Sequence, residues 1–259
     1  GFRRHLGCEI NLLRFRQLIY DLKQLDYVRK IKMKERFVLF VDLKMAFDSV
    51  KLPILIDKMI MKKVQPAVIN TIIKLINCGK IAMDLSEKIN INAGVGQGKL
   101  CSPMLFNIYI NDLLEDANKE CYGALAFADD IAFICKDYEQ LEKTIKVLEK
   151  WNDLNDIQTN RNKSGIFVVN EDKKKNTWGD VILGFPKVNS YKYLGITLNA
   201  KTDVKPHITA INTKLNEYIK RNQTLQRVYF TPMTLVRICD YFVKSRLSYG
   251  LCCFLDCPS

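Results

Sequence analysis

The chain has no apolar run approaching the ~20 residues a membrane-spanning helix needs, which excludes a helical membrane protein. It has only two histidines, His5 and His207, far apart in sequence, which argues against a histidine-rich zinc centre. The nine cysteines are odd in number and form no even framework, and reduced, intracellular thiols are the simplest expectation. Cys252, Cys253 and Cys257 cluster, but no fourth ligand lies nearby, and ordinary packed cysteines are the simpler reading. Internal repeats are absent. Acid is in deficit: 28 Asp and Glu face 40 Lys and Arg, a formal charge of +12 that suits a chain lying along a polyanion, nucleic acid first.

Apolar residues make up 48% of the 259, enough to fill a sizeable core divided among two or three subdomains. Leu12, Phe15, Ile19, Leu22 and Leu25 recur at spacings of three and four and predict one helix. Phe37 to Val41 is an uninterrupted β-prone run, as in a strand covered on both faces, and it stops at a charge, Asp42. Pro53, Pro66 and Pro103 each stand where a helix can begin, the last running to about Leu114. Residues 80–93 predict a two-stranded ribbon, followed by the glycine-rich loop 94–98. Ala124 to Phe127 and Ile131 to Ile134 flank Asp129-Asp130 and predict a hairpin with carboxylates at its tip. A helix over 138–154, single strands near 164–169, 181–185 and 191–198, and a helical remainder from about 202 complete the pattern.

The chemistry lies in the acids. Three carboxylates on neighbouring strands repel one another, and gathering them makes sense where divalent cations are bound. Two Mg²⁺ ions, or Mn²⁺ in their place, take hard oxygen ligands and can drive phosphoryl transfer. Taken singly, each piece also has a plain reading: a solvated Asp-Asp turn, and a helix-capping Asp42.

The stretch from Phe40 to Val50, the loop Gly94-Val95-Gly96-Gln97-Gly98 through Ser102-Pro103, and Phe127-Ala128-Asp129-Asp130 resemble, in order and spacing, motifs A, B and C of reverse transcriptases. The resemblance is greatest to the non-LTR retrotransposon and group II intron branch, and Gly1-Phe2-Arg3-Arg4 resembles its fingers motif. It implies an α+β right-hand polymerase with an RRM-like antiparallel palm sheet and a helical thumb. Residues 1–36 would be partial fingers, 37–63 palm, 64–93 fingers, 94–200 palm and 201–259 thumb. The earlier fingers hairpin is expected to be missing, to be supplied by a further chain or segment.

Carried over by residue, the resemblance implies that Asp42 and Asp129 bind the catalytic metals, that Asp130 supports them, and that the Leu43 carbonyl completes one metal's shell. Phe47 matches the steric gate against a ribose 2′-hydroxyl, Gln97 a contact to the incoming nucleotide, and Lys163 the motif D lysine near the leaving pyrophosphate. Arg3 and Arg4 would touch RNA or the triphosphate, and Tyr193, Leu194 and Gly195 resemble the primer grip. Gly96 stands where proline is common in the branch, a departure remote from metal chemistry. The implied partners are an RNA template, a DNA or RNA primer and deoxynucleoside triphosphates, without a membrane, in the nucleus or an organelle such as the mitochondrion. Two classes of function stay open: an RNA-templated DNA polymerase, and a non-catalytic descendant serving as an RNA-binding structural subunit of a ribonucleoprotein. An RNA-dependent RNA polymerase is disfavoured by Phe47.

Overall fold

A computed structural model describes residues 7–28, 30, 34–78, 94–96, 99–171, 178–199 and 205–225, together with 231, 233–234, 237, 239–244 and 249. The expected ribbon at 80–93, the residues Arg3, Arg4 and Gln97, and the cysteine cluster near the C-terminus lie outside these.

Strand β1 (Arg36–Val41) is buried along its whole length because both faces of its sheet are covered. It pairs antiparallel with β3 (Asp130–Cys135) on one side and β4 (Gly165–Val169) on the other, and β2 (Gly123–Phe127) completes the order β2-β3-β1-β4. Strand alternation then divides the apolar run. Phe37, Leu39 and Val41 enter one core with the helices α2 (Leu52–Met61), α3 (Pro66–Cys78), α4 (Ser102–Glu120) and α5 (Tyr138–Asn155). Val38 and Phe40 enter a second core under α1 (Cys8–Val28) and a hairpin of β7 (Ser190–Tyr193) and β8 (Ile196–Asn199). The result is α+β: an antiparallel sheet between two layers.

The helices begin where their sequences allow. Prolines occupy the first turns of α2 and α4, where the missing N–H costs nothing. Asp137 caps α5, its carboxylate accepting from the Gln140 N–H at 2.9 Å. In α1, Leu12, Phe15, Ile19 and Leu22 are buried as expected, but Leu25 is 39% exposed. Its neighbour Asp26 turns inward instead, because Arg36 at the start of β1 supplies a buried counter-charge.

Two expectations are corrected. The single strands predicted near 181–185 and 191–198 are each a tight hairpin: β5 (Val181–Ile182) with β6 (Phe185–Pro186), and β7 with β8. Both turns, Leu183-Gly184 and Leu194-Gly195, hold their two residues at positive φ, the signature of a type I′ turn whose twist matches the flanking strands. Helix α4 also runs on past Leu114 to Glu120, because Ala117 still faces the core.

Behind the sheet, α2, α4 and α5 are tied by one polar knot. Lys58 donates to the Tyr109 carbonyl at 2.6 Å and pairs with Asp112 at 2.8 Å, lying over the Tyr109 and Trp151 rings. Trp151 donates its indole N–H to the same Asp112 at 3.0 Å. Burial lowers the Lys58 pKa, against the opposing pull of Asp112. The last described elements are α6 (Lys205–Leu225) and a π-helical turn, Cys239–Lys244, in the region expected to be helical.

Candidate active site

Beyond the last paired residues of β1 and β3, Val41 and Ile131, come Asp42 and Asp130. Asp129 stands at the β2–β3 tip beside Ala128, whose φ of 55° turns the chain sharply enough to set two acids side by side. Asp42 does not fray from the sheet. Its N–H donates to the Ser164 hydroxyl at 3.0 Å, its carbonyl accepts from the Asn160 N–H at 2.8 Å, and Ser164 donates to the Asn160 carbonyl at 2.8 Å. The Lys44 N–H continues this pairing onto the Gln158 carbonyl, and Leu43 bridges Thr159.

Asp42 and Asp129 line one open cleft of about 1690 Å³, together with Leu43, Phe47 and Lys163. Asp130 is not among the lining residues. It shares its strand face with Ala132 and Ile134, toward the β7–β8 hairpin. Its carboxyl is pushed up to about 6, first by burial and then by the charges of Asp129 and Asp42. The Tyr191 phenol is pushed up to about 12 by burial and by Asp130 and Asp42. Three acids therefore feel one another at the end of this sheet, and a cation would relieve that repulsion. Among the described residues no group of three or more His, Cys, Asp or Glu side chains stands ready to hold a metal ion. The donor chemistry nevertheless suits a hard cation: two carboxylates on one cleft and the Leu43 backbone beside them.

Phe47 is half-buried in the cleft, its ring stacked on Phe106 with centroids 4.8 Å apart. Its carbonyl accepts from the Val95 N–H at 2.9 Å, and the Gly94 N–H donates to the Val50 carbonyl at 2.7 Å. The glycine-rich loop thus starts pinned to the loop after Asp42. Gly94 has a φ of 94°, and a Cβ there would stand 3.3 Å from the Asp48 carbonyl oxygen, so only glycine approaches this closely. Further along, Ser102 donates to the Gly96 carbonyl at 2.6 Å, and the Lys99 ammonium reaches the Leu75 and Ile76 carbonyls in the last turn of α3. Lys163 is exposed at the cleft. Tyr193 is fully buried between Phe15 and Phe40, its hydroxyl without a hydrogen-bond partner among the described residues, and Leu194 and Gly195 form the turn beyond it. Cys121 and Cys135 are buried thiols pushed up to about 11 and 12, and so are inert packing groups.

Sequence reasoning missed three features of this site. Ser164 is 122 residues from the Asp42 it braces. Asn107, Asn111 and Glu115 line the cleft from α4, and their spacing of four was a readable signal of one polar helix face. Met45, Leu100 and Met104 are exposed apolar side chains that also line the cleft.

An antiparallel α+β sheet that gathers acids at a strand end and a hairpin tip, over an open basic-rimmed cleft, is a polymerase-like arrangement. The family model for reverse transcriptase (RNA-dependent DNA polymerase) matches residues 6–198, and the chain belongs to that family, in its non-LTR retrotransposon type. In an alignment 247 positions long that covers 86% of the chain, it is 26% identical to the retrovirus-related Pol polyprotein of the type-1 retrotransposable element R2 from Popillia japonica. The corresponding polyprotein from Nasonia vitripennis is 28% identical in an alignment 132 positions long that covers 46% of this chain. The chain spans 40% and 13% of the lengths of these two relatives. Among solved structures, an apo telomerase from Candida tropicalis, truncated of its C-terminal domain, matches 73% of this chain and 38% of its own at a TM-score of 0.52 and 15% identity, a likeness of fold. Among the described residues no helix is long and apolar enough to cross a membrane.

Proposed function

We propose that this chain is the polymerising core of an RNA-templated DNA polymerase, acting by two-metal nucleotidyl transfer. The observation that carries the proposal is the meeting of Asp42, Phe47, Asp129 and Lys163 on one cleft from three separate stretches of sequence. Asp42 and Asp129, with the Leu43 carbonyl, would hold Mg²⁺, or Mn²⁺ in its place, and Asp130 would stand behind them. The bound cations supply charge neutralisation for the attacking and leaving oxygens. The chain's own groups do the rest. Ser164 and Asn160 fix the Asp42 backbone, so its carboxylate is presented without a search for position. Phe47, backed by Phe106, presents a ring that would clash with a ribose 2′-hydroxyl, which selects deoxynucleotides. Lys163 offers a point charge to the departing pyrophosphate.

Residues 37–63 and 94–200 would form the palm, 1–36 and 64–93 the fingers, and 201–259 the thumb. Gln97, Arg3 and Arg4 keep the roles that their motifs imply: nucleotide contact for the first, RNA or triphosphate contact for the arginines. Tyr193, Leu194 and Gly195 would form the primer grip, Tyr193 acting from beneath the turn because its side chain is buried. The charge of +12 supports a salt-sensitive grip on a template and primer backbone. Primer extension on an RNA template with Mg²⁺, offering deoxynucleotides or ribonucleotides to the wild type and Asp129→Asn, tests this. Deoxynucleotide extension that the substitution abolishes supports the polymerase. Tight RNA binding without extension, unaffected by the substitution, would instead make the chain a structural subunit of a ribonucleoprotein, and ribonucleotide preference would make it an RNA polymerase.

A further inference from the structure

The β7–β8 turn is held by a residue 55 positions further along the chain: the Tyr249 hydroxyl donates to the Leu194 carbonyl at 2.7 Å. The Tyr249 ring lies against the same turn, where a Cβ added at Gly195 would come within 3.3 Å of it. Glycine suits position 195 on two counts, its φ of 79° and the tight space the ring leaves. The Tyr249 carbonyl in turn stands 3.3 Å from Nε2 of His207, a buried residue in the first turn of α6. Helix α6 also packs on β8.

At its other end the hairpin reaches the carboxylates. Tyr191 stacks flat on Phe40, centroids 4.3 Å apart and rings 9° from parallel, and Phe40 is two residues before Asp42. Tyr193 packs on Phe40 and Phe15. A continuous set of contacts thus runs from α6 through Tyr249 and the hairpin to the strand that carries Asp42.

We propose that Tyr249 is a positioning residue that pins α6 to the β7–β8 hairpin, so that the two hold a template–primer duplex as one body over the carboxylates. This rests on the polymerase function proposed above. A duplex gripped by two elements stays registered between additions only when they do not shift independently. The pin matters least for a single addition to a bound primer and most for remaining bound through many.

The full chain with Tyr249→Phe keeps the ring and loses only the hydroxyl. Hydrogen exchange reads the coupling without catalysis: amides of 190–199 and of the first turns of α6 are expected to exchange faster together, about 3- to 10-fold, the effect of one lost hydrogen bond. Those of β1 and β3 should be unchanged. Faster exchange in only one element, or in neither, overturns the pin. In extension under a trap, nucleotides added per encounter should fall about 3- to 10-fold while the first addition stays within about 2-fold. Equal loss of both, or coupled exchange with unchanged product length, overturns the positioning role. If the wild type extends no primer at all, the polymerase function and with it the positioning role fail, while the exchange result still decides whether the pin exists.

Discussion

Asp130 stores an electrostatic cost that a melting experiment can measure. Its carboxyl titrates at about 6 in the folded chain, raised by burial and by Asp129 and Asp42, against ~3.9 for an unperturbed aspartate. Between roughly pH 4 and pH 6 the folded chain keeps a proton that the unfolded chain has released. Stability therefore falls as pH rises through that window and stays low above it. A shift of about 2 units corresponds to ~3 kcal/mol at face value. Asp130 is only half-buried, and solvent screening discounts this to roughly 1 kcal/mol. In EDTA at pH 7.5, Asp130→Asn should therefore be more stable than the wild type by ~1 kcal/mol, about 3 °C in Tm for a chain of this size. The gap should close at pH 4, where both forms are neutral. Millimolar Mg²⁺ should narrow it at pH 7.5 by raising the wild type, because a bound cation offsets the same repulsion. The assay is tryptophan fluorescence melting at four pH values from 4 to 7.5, with and without the cation. A variant less stable at pH 7.5, or a gap independent of pH, would refute the reasoning.

Other perturbations have equally definite signs. Phe47→Val should raise ribonucleotide use relative to deoxynucleotide use by about 10- to 100-fold in competitive extension, the range that pocket shape alone can supply. Tyr193→Phe removes a buried hydroxyl that has no partner among the described residues and should stabilise the fold by ~1 kcal/mol in urea melts. Asp112→Ala strips the counter-charge from half-buried Lys58 and the acceptor from Trp151, and should cost ~3 kcal/mol in the same melts. Lys58→Met with Asp112→Ala should recover part of that loss.

Much of this fold was legible because its signals are local. The run Phe37 to Val41 announced a strand covered on both faces, and the α1 stripe announced its buried side. Proline marked the starts of α2, α3 and α4. The two short hairpins were hidden because Leu, not Asn or Asp, precedes the glycine in each type I′ turn. Leucine tolerates a left-handed conformation poorly, and only surrounding packing makes it hold there. Leu25 and Asp26 exchanged places for a similar reason: the deciding partner, Arg36, lies on another element. At the site, Asp42, Asp129 and Phe47 could be picked out by their motifs, whereas Ser164 could not. A brace between residues 122 apart exists only once the sheet has formed. The division of the acids, Asp42 and Asp129 lining the cleft and Asp130 outside its lining, likewise exists only in the folded chain.

That division provides the most direct test of the central claim. Single-turnover addition of one deoxynucleotide to a primer on an RNA template in Mg²⁺ should be measured for the wild type and for Asp42→Asn, Asp129→Asn and Asp130→Asn. The account predicts losses of at least about 100-fold for the two cleft acids and a much smaller loss for Asp130→Asn. Addition that persists in Asp42→Asn or Asp129→Asn, or that falls as far in Asp130→Asn as in these, would contradict it.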